Sequence, residues 1–268
     1  NGRRVGDHVL DPAQTDYEKR CFYACHDVLA LLREGENALG VMVGDGWYHQ
    51  ARVTHRGWPE KPYGQPKLLC ELVCELADGD SLVIVSDASW RCLPGPVTES
   101  NIYAGERFDA RFDPPGWASP GFDDSRWPSA LPAPSPGGRL ILQSLPPMRR
   151  CREWPVTTIR PVGSDMLILD TGENMAGWIR LTVRGMPQGG TIQLRFAEEL
   201  DDGGRIDPAS TGVFATRVVQ TDHWTAGETE HEVWEPRFTY HGFRYVEVTG
   251  FTVPPEQPPT FWDLAQPA

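Results

Sequence analysis

The sequence predicts an all-β chain of two domains, the second a sandwich of two packed antiparallel sheets. Three observations carry that expectation. With 268 residues the chain can bury one large core or two ordinary ones, and two is the better division because single cores of roughly 100 to 150 residues are commonest. Its 27 Gly and 25 Pro, joined by ten Trp, suit short strands linked by many turns better than helical bundles. Six segments between Met166 and Gly250 alternate apolar and polar residues with the period of a half-buried strand.

The first unit is expected over residues 1–143. Val5, Val9 and Leu10 open it, Asp11-Pro12 turns the chain, and Tyr17 to Cys25 reads as a strand. His26 to Asn37 reads as a short helix stopped by Gly35, followed by a strand over Ala38 to Val43. Leu68 to Leu76 and Ser81 to Ser86 flank Asp78-Gly79-Asp80 and form a hairpin. Pro128 to Gly138 holds four prolines and reads as surface loop.

A linker over 144–156 leads to the second unit, 157–250. Its strands are Met166 to Asp170, Gly177 to Arg184, Thr191 to Glu198, Arg217 to Trp224, His231 to Arg237 and Arg244 to Gly250. Ile192, Leu194 and Phe196 oppose Gln193 and Arg195, so one face is built for a core. Glu235 to Gly250 reads as strand, bend at His241-Gly242, and strand, with Tyr240, Phe243 and Tyr245 as core of the second sandwich. Residues 251–268 carry five prolines and read as a connector.

The formal net charge of −12 excludes a polyanion as natural partner, because counterion release needs clustered Lys and Arg. No nucleic acid and no membrane are expected, since no run of about 18 apolar residues exists. The chain opens on the turn dipeptide Asn1-Gly2, without Met and directly before strand sequence, so a natural start upstream is expected and the compartment stays open.

Cys21, Cys25, Cys70, Cys74, Cys92 and Cys151 include two Cys-x-x-x-Cys pairs. Zinc knuckles favour two intervening residues in a tight turn, whereas Cys70, Leu72, Cys74 and Leu76 alternate along a strand. Buried core thiols are therefore expected, disulfides next. The seven histidines show no paired spacing with Cys or Asp, and no metal site is expected.

Five stretches then occur in order: Asn1 to Gly6, Gly44-Asp45-Gly46-Trp47-Tyr48, Asn101 to Glu106 leading to Asp109-Ala110-Arg111, Gly172 to Trp178, and Glu235 to Gly250. Together they resemble the bacterial α-L-rhamnosidases, a glycoside hydrolase family. The resemblance implies an N-terminal β-sandwich, incomplete at its start, followed by a concanavalin-like sandwich, that is, two jelly-roll type β-sandwich domains in tandem. It further implies that the parent hydrolyses terminal α-L-rhamnose with inversion, using carboxylates on a later (α/α)6 barrel. The expected partners are rhamnose-containing glycosides and that barrel; no cofactor is required, and calcium is the one the resemblance admits.

No catalytic residue is expected within these residues. A glycosidase needs two carboxyl groups roughly 5 to 10 Å apart across a sugar, and the acid-rich run Glu198, Glu199, Asp201, Asp202 and Asp207 reads as a solvated hairpin turn. Sugar binding on a β-sandwich needs aromatic rings flanked by carboxylates or amides. Asp45, Trp47 and Tyr48 have that make-up, as do Asn101, Tyr103 and Glu106; the same rings could equally anchor a core.

Overall fold

The computed structural model describes residues 1–49, 63–211 and 218–250. The expected connector over 251–268 lies outside them, as does the first residue of the expected strand from Arg217. The first unit supplies β1 (His8–Val9), β2 (Arg20–Tyr23), β3 (Glu71–Glu75), β4 (Ser81–Val85), β5 (Val97–Asn101), β6 (Gly105–Asp109), β7 (Arg139–Leu142) and β8 (Met148–Arg149). The second supplies β9 (Thr158–Val162), β10 (Met166–Gly177), β11 (Leu181–Arg184), β12 (Thr191–Ala197) and β13 (Glu199–Leu200). It continues with β14 (Ile206–Asp207), β15 (Thr221–Thr225), β16 (His231–Trp234) and β17 (His241–Thr249). No α-helix occurs among the described residues; the chain is all-β apart from 3-10 turns.

The centre is a seven-stranded sheet ordered β5-β6-β15-β12-β17-β10-β9. Its strands follow from alternation: Ile192, Leu194 and Phe196 of β12 and Val246 and Val248 of β17 are fully buried on one face. Leu167 and Leu169 of β10 join them, and the small β11-β16 ladder covers the cluster with Leu181, Val183 and Trp234. The opposite face of the sheet carries a smaller cluster of Ile168, Ala197 and Ile206, against which Tyr245 packs. An ion triad adds to that face, where buried Glu247 (2% exposed) meets Arg195 at 2.9 Å and the more exposed Arg205 at 3.2 Å.

Two strands of this sheet, β5 and β6, come from within residues 1–143. Strand β6 runs parallel to β15, with His223 opposite Arg107 and Trp224 opposite Phe108. The two expected units are therefore fused through one hydrogen-bonded sheet. The remaining ladders of the first unit are two-stranded: β1 with β8, β2 with β7 in parallel, and the β3-β4 hairpin, whose register places Val73 opposite Val83.

Several expectations change. The helix over His26 to Asn37 shrinks to a 3-10 turn at Leu29–Leu31, with Asn37 satisfying backbone groups of Arg33 instead of continuing the coil. Ala38 to Val43 forms no ladder. The stretch from Glu235 is a loop up to Tyr240 and then one strand, because the N–H groups of Arg237 and Phe238 are taken by a carboxylate rather than by a neighbouring strand. Within that stretch Phe243 is core as expected, whereas Tyr240 is only half-buried.

The cysteines are free, and none is buried; Cys25, Cys92 and Cys151 are exposed. The expected strand alternation at Cys70, Leu72 and Cys74 holds, but that face stays partly open because β3-β4 is a hairpin of its own. Val73, Leu82, Val83, Ile84 and Val85 leave it with an apolar surface.

Phe196 packs edge-on against Phe243 at 5.0 Å and stacks on His241 at 4.1 Å. Truncating it opens a cavity at the middle of the sheet. Phe196→Ala is expected to cost about 3–5 kcal/mol, read as a lowered urea midpoint; a change within error of zero would show that this cluster is not the stabilising core.

Candidate carbohydrate-binding site

Asn101, Tyr103 and Glu106 lie on the β5-β6 hairpin, and Asp45 is tied to it through Ser100, whereas Tyr48 packs with Tyr17 and Tyr63. Asn101 ends β5, and its Oδ1 accepts the backbone N–H of Tyr103 and of Ala104, both at 3.0 Å, a side-chain turn that folds the tip. Gly105 follows with φ +116°, and any Cβ there would run into the carbonyl oxygen of Thr221. The tip is pinned by Thr221 N–H to the Ala104 carbonyl at 2.9 Å and by the Thr239 hydroxyl to the Ile102 carbonyl at 3.0 Å. Tyr103 alone projects outward, 37% exposed. The Tyr240 phenol is raised above its ordinary pKa chiefly by burial and then by the nearby Tyr103.

Glu106 points the other way and is 1% exposed. Its Oε2 accepts the N–H groups of Arg237 and Phe238, both at 2.9 Å. Its own N–H donates to Asp222 Oδ1 at 2.9 Å, and Asp222 Oδ2 meets His241 Nε2 at 3.0 Å. Burial pushes the Glu106 carboxyl up to about 7; the Arg237 N–H opposes this, and the Asp222 charge adds to it.

The Gly44 to Tyr48 stretch is drawn to the same place. Asp45 N–H donates to the Ser100 hydroxyl at 3.0 Å, and Gly44 lies so close under the Phe238 ring that a Cβ would collide with it. Asp45 is half-buried, and burial raises its carboxyl above the usual range against the pull of His49. Tyr48 is stacked on Tyr63 at 5.9 Å, with Tyr17 edge-on to both at 5.1 Å and Lys67 above its ring. Trp47 is half-buried.

The other stretches are also tied into this frame. Asp109 closes on Arg111 through a 2.6 Å bond to Nη2 and accepts the Arg111 N–H. The Gly172 to Trp178 stretch forms a bulge in β10, held by Asp170 to Arg244 at 2.9 Å and by Trp178 Nε1 to Glu235 Oε2 at 2.8 Å. The acid-rich run is a hairpin turn: β13 pairs with β14, and Asp201 Oδ1 accepts the Arg205 N–H at 2.9 Å.

Thus Asn101 and Glu106 are engaged with backbone and Tyr48 with other tyrosines, while Tyr103 is the most exposed of the three hairpin candidates. Asp222, His241, Arg237 and Phe238 escaped the sequence reading. Each lies more than 100 residues from Glu106, and no local spacing announces them. An open groove of about 2570 Å³ lies alongside, lined by Leu39, Val41, Leu69, Val73, Trp178 and Trp234 among others.

The chain is thus an all-β protein of sandwich class, in which the Glu106 carboxyl of one motif is buried against backbone N–H groups of another. The comparisons place it. The family model for the alpha-L-rhamnosidase N-terminal domain matches residues 1–152, and that for the bacterial alpha-L-rhamnosidase concanavalin-like domain matches residues 160–260. The chain belongs to the bacterial α-L-rhamnosidase family. It is 41% identical over 252 residues to an alpha-L-rhamnosidase of Streptomyces avermitilis, covering 94% of this chain and 24% of that protein. One from Formosa agariphila is 35% identical over 261 residues, covering 96% and 27%. Among solved structures, the Streptomyces avermitilis enzyme complexed with L-rhamnose superposes with a TM-score of 0.81 at 37% identity, covering 96% of this chain and 24% of that one. The enzyme from Dictyoglumus thermophilum gives 0.80 at 35% identity, covering 98% and 28%. The chain thus spans about a quarter of the length of the curated relatives it matches.

The buried Glu106 has a pH signature. Its folded pKa, about 7, lies above the ordinary 4.5, so its protonated form is favoured by folding. Its contribution to stability is full below about pH 4.5 and is lost as pH rises through about 7. Glu106→Gln keeps an oxygen for the two N–H groups and removes the titration. The stability difference, variant minus wild type, is expected to grow in the variant's favour from pH 4.5 to 8; parallel profiles in urea melts across that range would refute the assignment.

Proposed function

We propose that this chain is the non-catalytic accessory region of a larger α-L-rhamnosidase, scaffolding a catalytic barrel and presenting a surface for rhamnosides. The observation that carries the reading is the fate of Glu106. The carboxylate of the motif richest in polar groups is directed at two backbone N–H groups and not across a sugar-sized gap, so it serves assembly of the two sandwiches. The relatives support the scaffold role, since they are rhamnosidases about four times as long as the region they share with this chain. The apolar faces of the β3-β4 hairpin and of the groove supply surface for a barrel to cover.

For the sugar, Tyr103 near Tyr240 supplies a ring surface for the C–H face of rhamnose, with Asp45, Trp47 and Tyr48 on the adjoining segment. The exposed Tyr103 also favours a second reading, a free-standing lectin-like module. In either case turnover of a rhamnoside is attributed to residues outside this chain, and hydrolysis abolished by Glu198→Ala or Asp202→Ala would overturn the reading.

Calorimetric titration with L-rhamnose, with and without calcium, tests the binding surface. Saturable heat is expected at millimolar sugar, weakened about three- to tenfold by Tyr103→Ala, the loss of one ring contact. Heat unchanged by that substitution would move the sugar elsewhere, and no heat would leave the scaffold role alone.

A further inference from the structure

The fold brings together three side chains whose spacing in sequence is unremarkable: His8 on β1, Asp11 in the turn after it, and His26 beyond β2. One ligand atom from each lies within 4.8 Å of the others. We propose that they bind a single divalent transition-metal ion of zinc type.

The geometry suits such an ion. His8 Nδ1 and Asp11 Oδ2 are 2.8 Å apart, a hydrogen-bond distance that has to open only to about 3.4 Å for the two atoms to occupy adjacent tetrahedral corners of one zinc at about 2.0–2.2 Å each. The His8 and His26 rings lie 4.8 Å apart, tilted at 56°, with no hydrogen bond between them. The pair His8 and Asp11 is largely covered, with side chains 18% and 13% exposed, whereas His26 is exposed. All three line the groove, which gives an ion its way in and leaves a coordination position for water. Two imidazoles and one carboxylate select zinc, nickel or copper over calcium and magnesium, which require mostly oxygen ligands.

Two neighbours set the terms of binding. Gly6, at φ +64°, passes so close to His26 that a Cβ would stand 2.9 Å from its Nδ1, so the backbone there makes room for the ring. Arg149 Nη2 lies 3.1 Å from His8 Nε2. A guanidinium only donates, so without metal His8 accepts at Nε2 and carries its proton on Nδ1, toward Asp11. Metal binding therefore moves that proton to Nε2 and displaces Arg149 Nη2. Arg149 is 43% exposed and remains attached to Asp7 through Nε at 2.8 and 2.9 Å, so the displacement gives up one surface hydrogen bond. Arg149 competes with the ion, and its removal should tighten binding.

The test is titration of the 268-residue chain, stripped of metal, with zinc chloride, and cobalt(II) loading read by absorption. One saturable site per chain is expected, with visible d–d bands and no near-ultraviolet sulfur charge-transfer band, which separates it from the six free thiols. Asp11→Asn, which keeps the shape of the carboxylate, and His26→Ala should each weaken zinc at least tenfold. Gly6→Ala should weaken it without removing a ligand, and Arg149→Gln should tighten it. Circular dichroism of Asp11→Asn matching the parent guards against a misfolded variant. The proposal is overturned by no saturable zinc binding, by sulfur bands in the cobalt spectrum, or by affinity unchanged in Asp11→Asn and His26→Ala.

Discussion

The joint between the two sandwiches depends on a carboxylate out of water. Glu106 is buried with Asp222 and His241 beneath the β5-β6 hairpin, and its Oε2 receives two backbone N–H groups of a loop that would otherwise have to find a strand. An ionised carboxyl in such a place is costly, and unpaired N–H groups in the same place would be costly too. One oxygen, Oε2, satisfies both N–H groups, while burial disfavours the charged form and raises the carboxyl to about 7. The arrangement also explains why three sequence stretches far apart, around Gly44, Asn101 and Glu235, form one piece of structure: the Phe238 ring held by the clamp closes over Gly44, and Ser100 beside the hairpin tip holds Asp45.

Chemistry-bearing residue types in these motifs serve construction. Asn101 folds a turn, Asp109 closes on Arg111, Asp170 braces a bulge through Arg244, and Glu235 anchors the Trp178 indole. A family signature read as a list of polar groups invites a search for catalysis; read in the fold, most of it is backbone satisfaction. Tyr103 differs in exposure, standing 37% exposed at a tip where Asn101 and Glu106 are buried.

Much of the second sandwich was legible in sequence because its strands are half-buried, and a half-buried strand must alternate. Ile192, Leu194 and Phe196 pointed to the core side of β12 directly. The recruitment of β5 and β6 into the same sheet was not legible, since parallel pairing of Arg107 with His223 joins segments over a hundred residues apart and leaves no local pattern. Glu235 to Tyr240 misled for a related reason: its aromatic and β-branched residues favour a strand, but its donors are claimed by a distant side chain. The cysteines misled because alternation reveals which residues share a face, not whether anything packs on it. Of the candidate site, the residue types at positions 45, 101, 103 and 106 were legible, while their burial was set by partners that only folding supplies.

The shared sheet changes what counts as a separable part. A piece starting near residue 157 would contain every residue of the concanavalin-like match, yet it would leave the edge of β15 bare where β6 had been hydrogen-bonded, with Trp224 losing Phe108 as its neighbour in register. The complementary piece would carry a hairpin with no sheet to join and Glu106 with no loop to hold. Recombination between relatives is under the same restriction: a crossover between the two sandwiches must exchange strands β5 and β6 together with β15 and the 237–238 loop, or it transplants half of a joint.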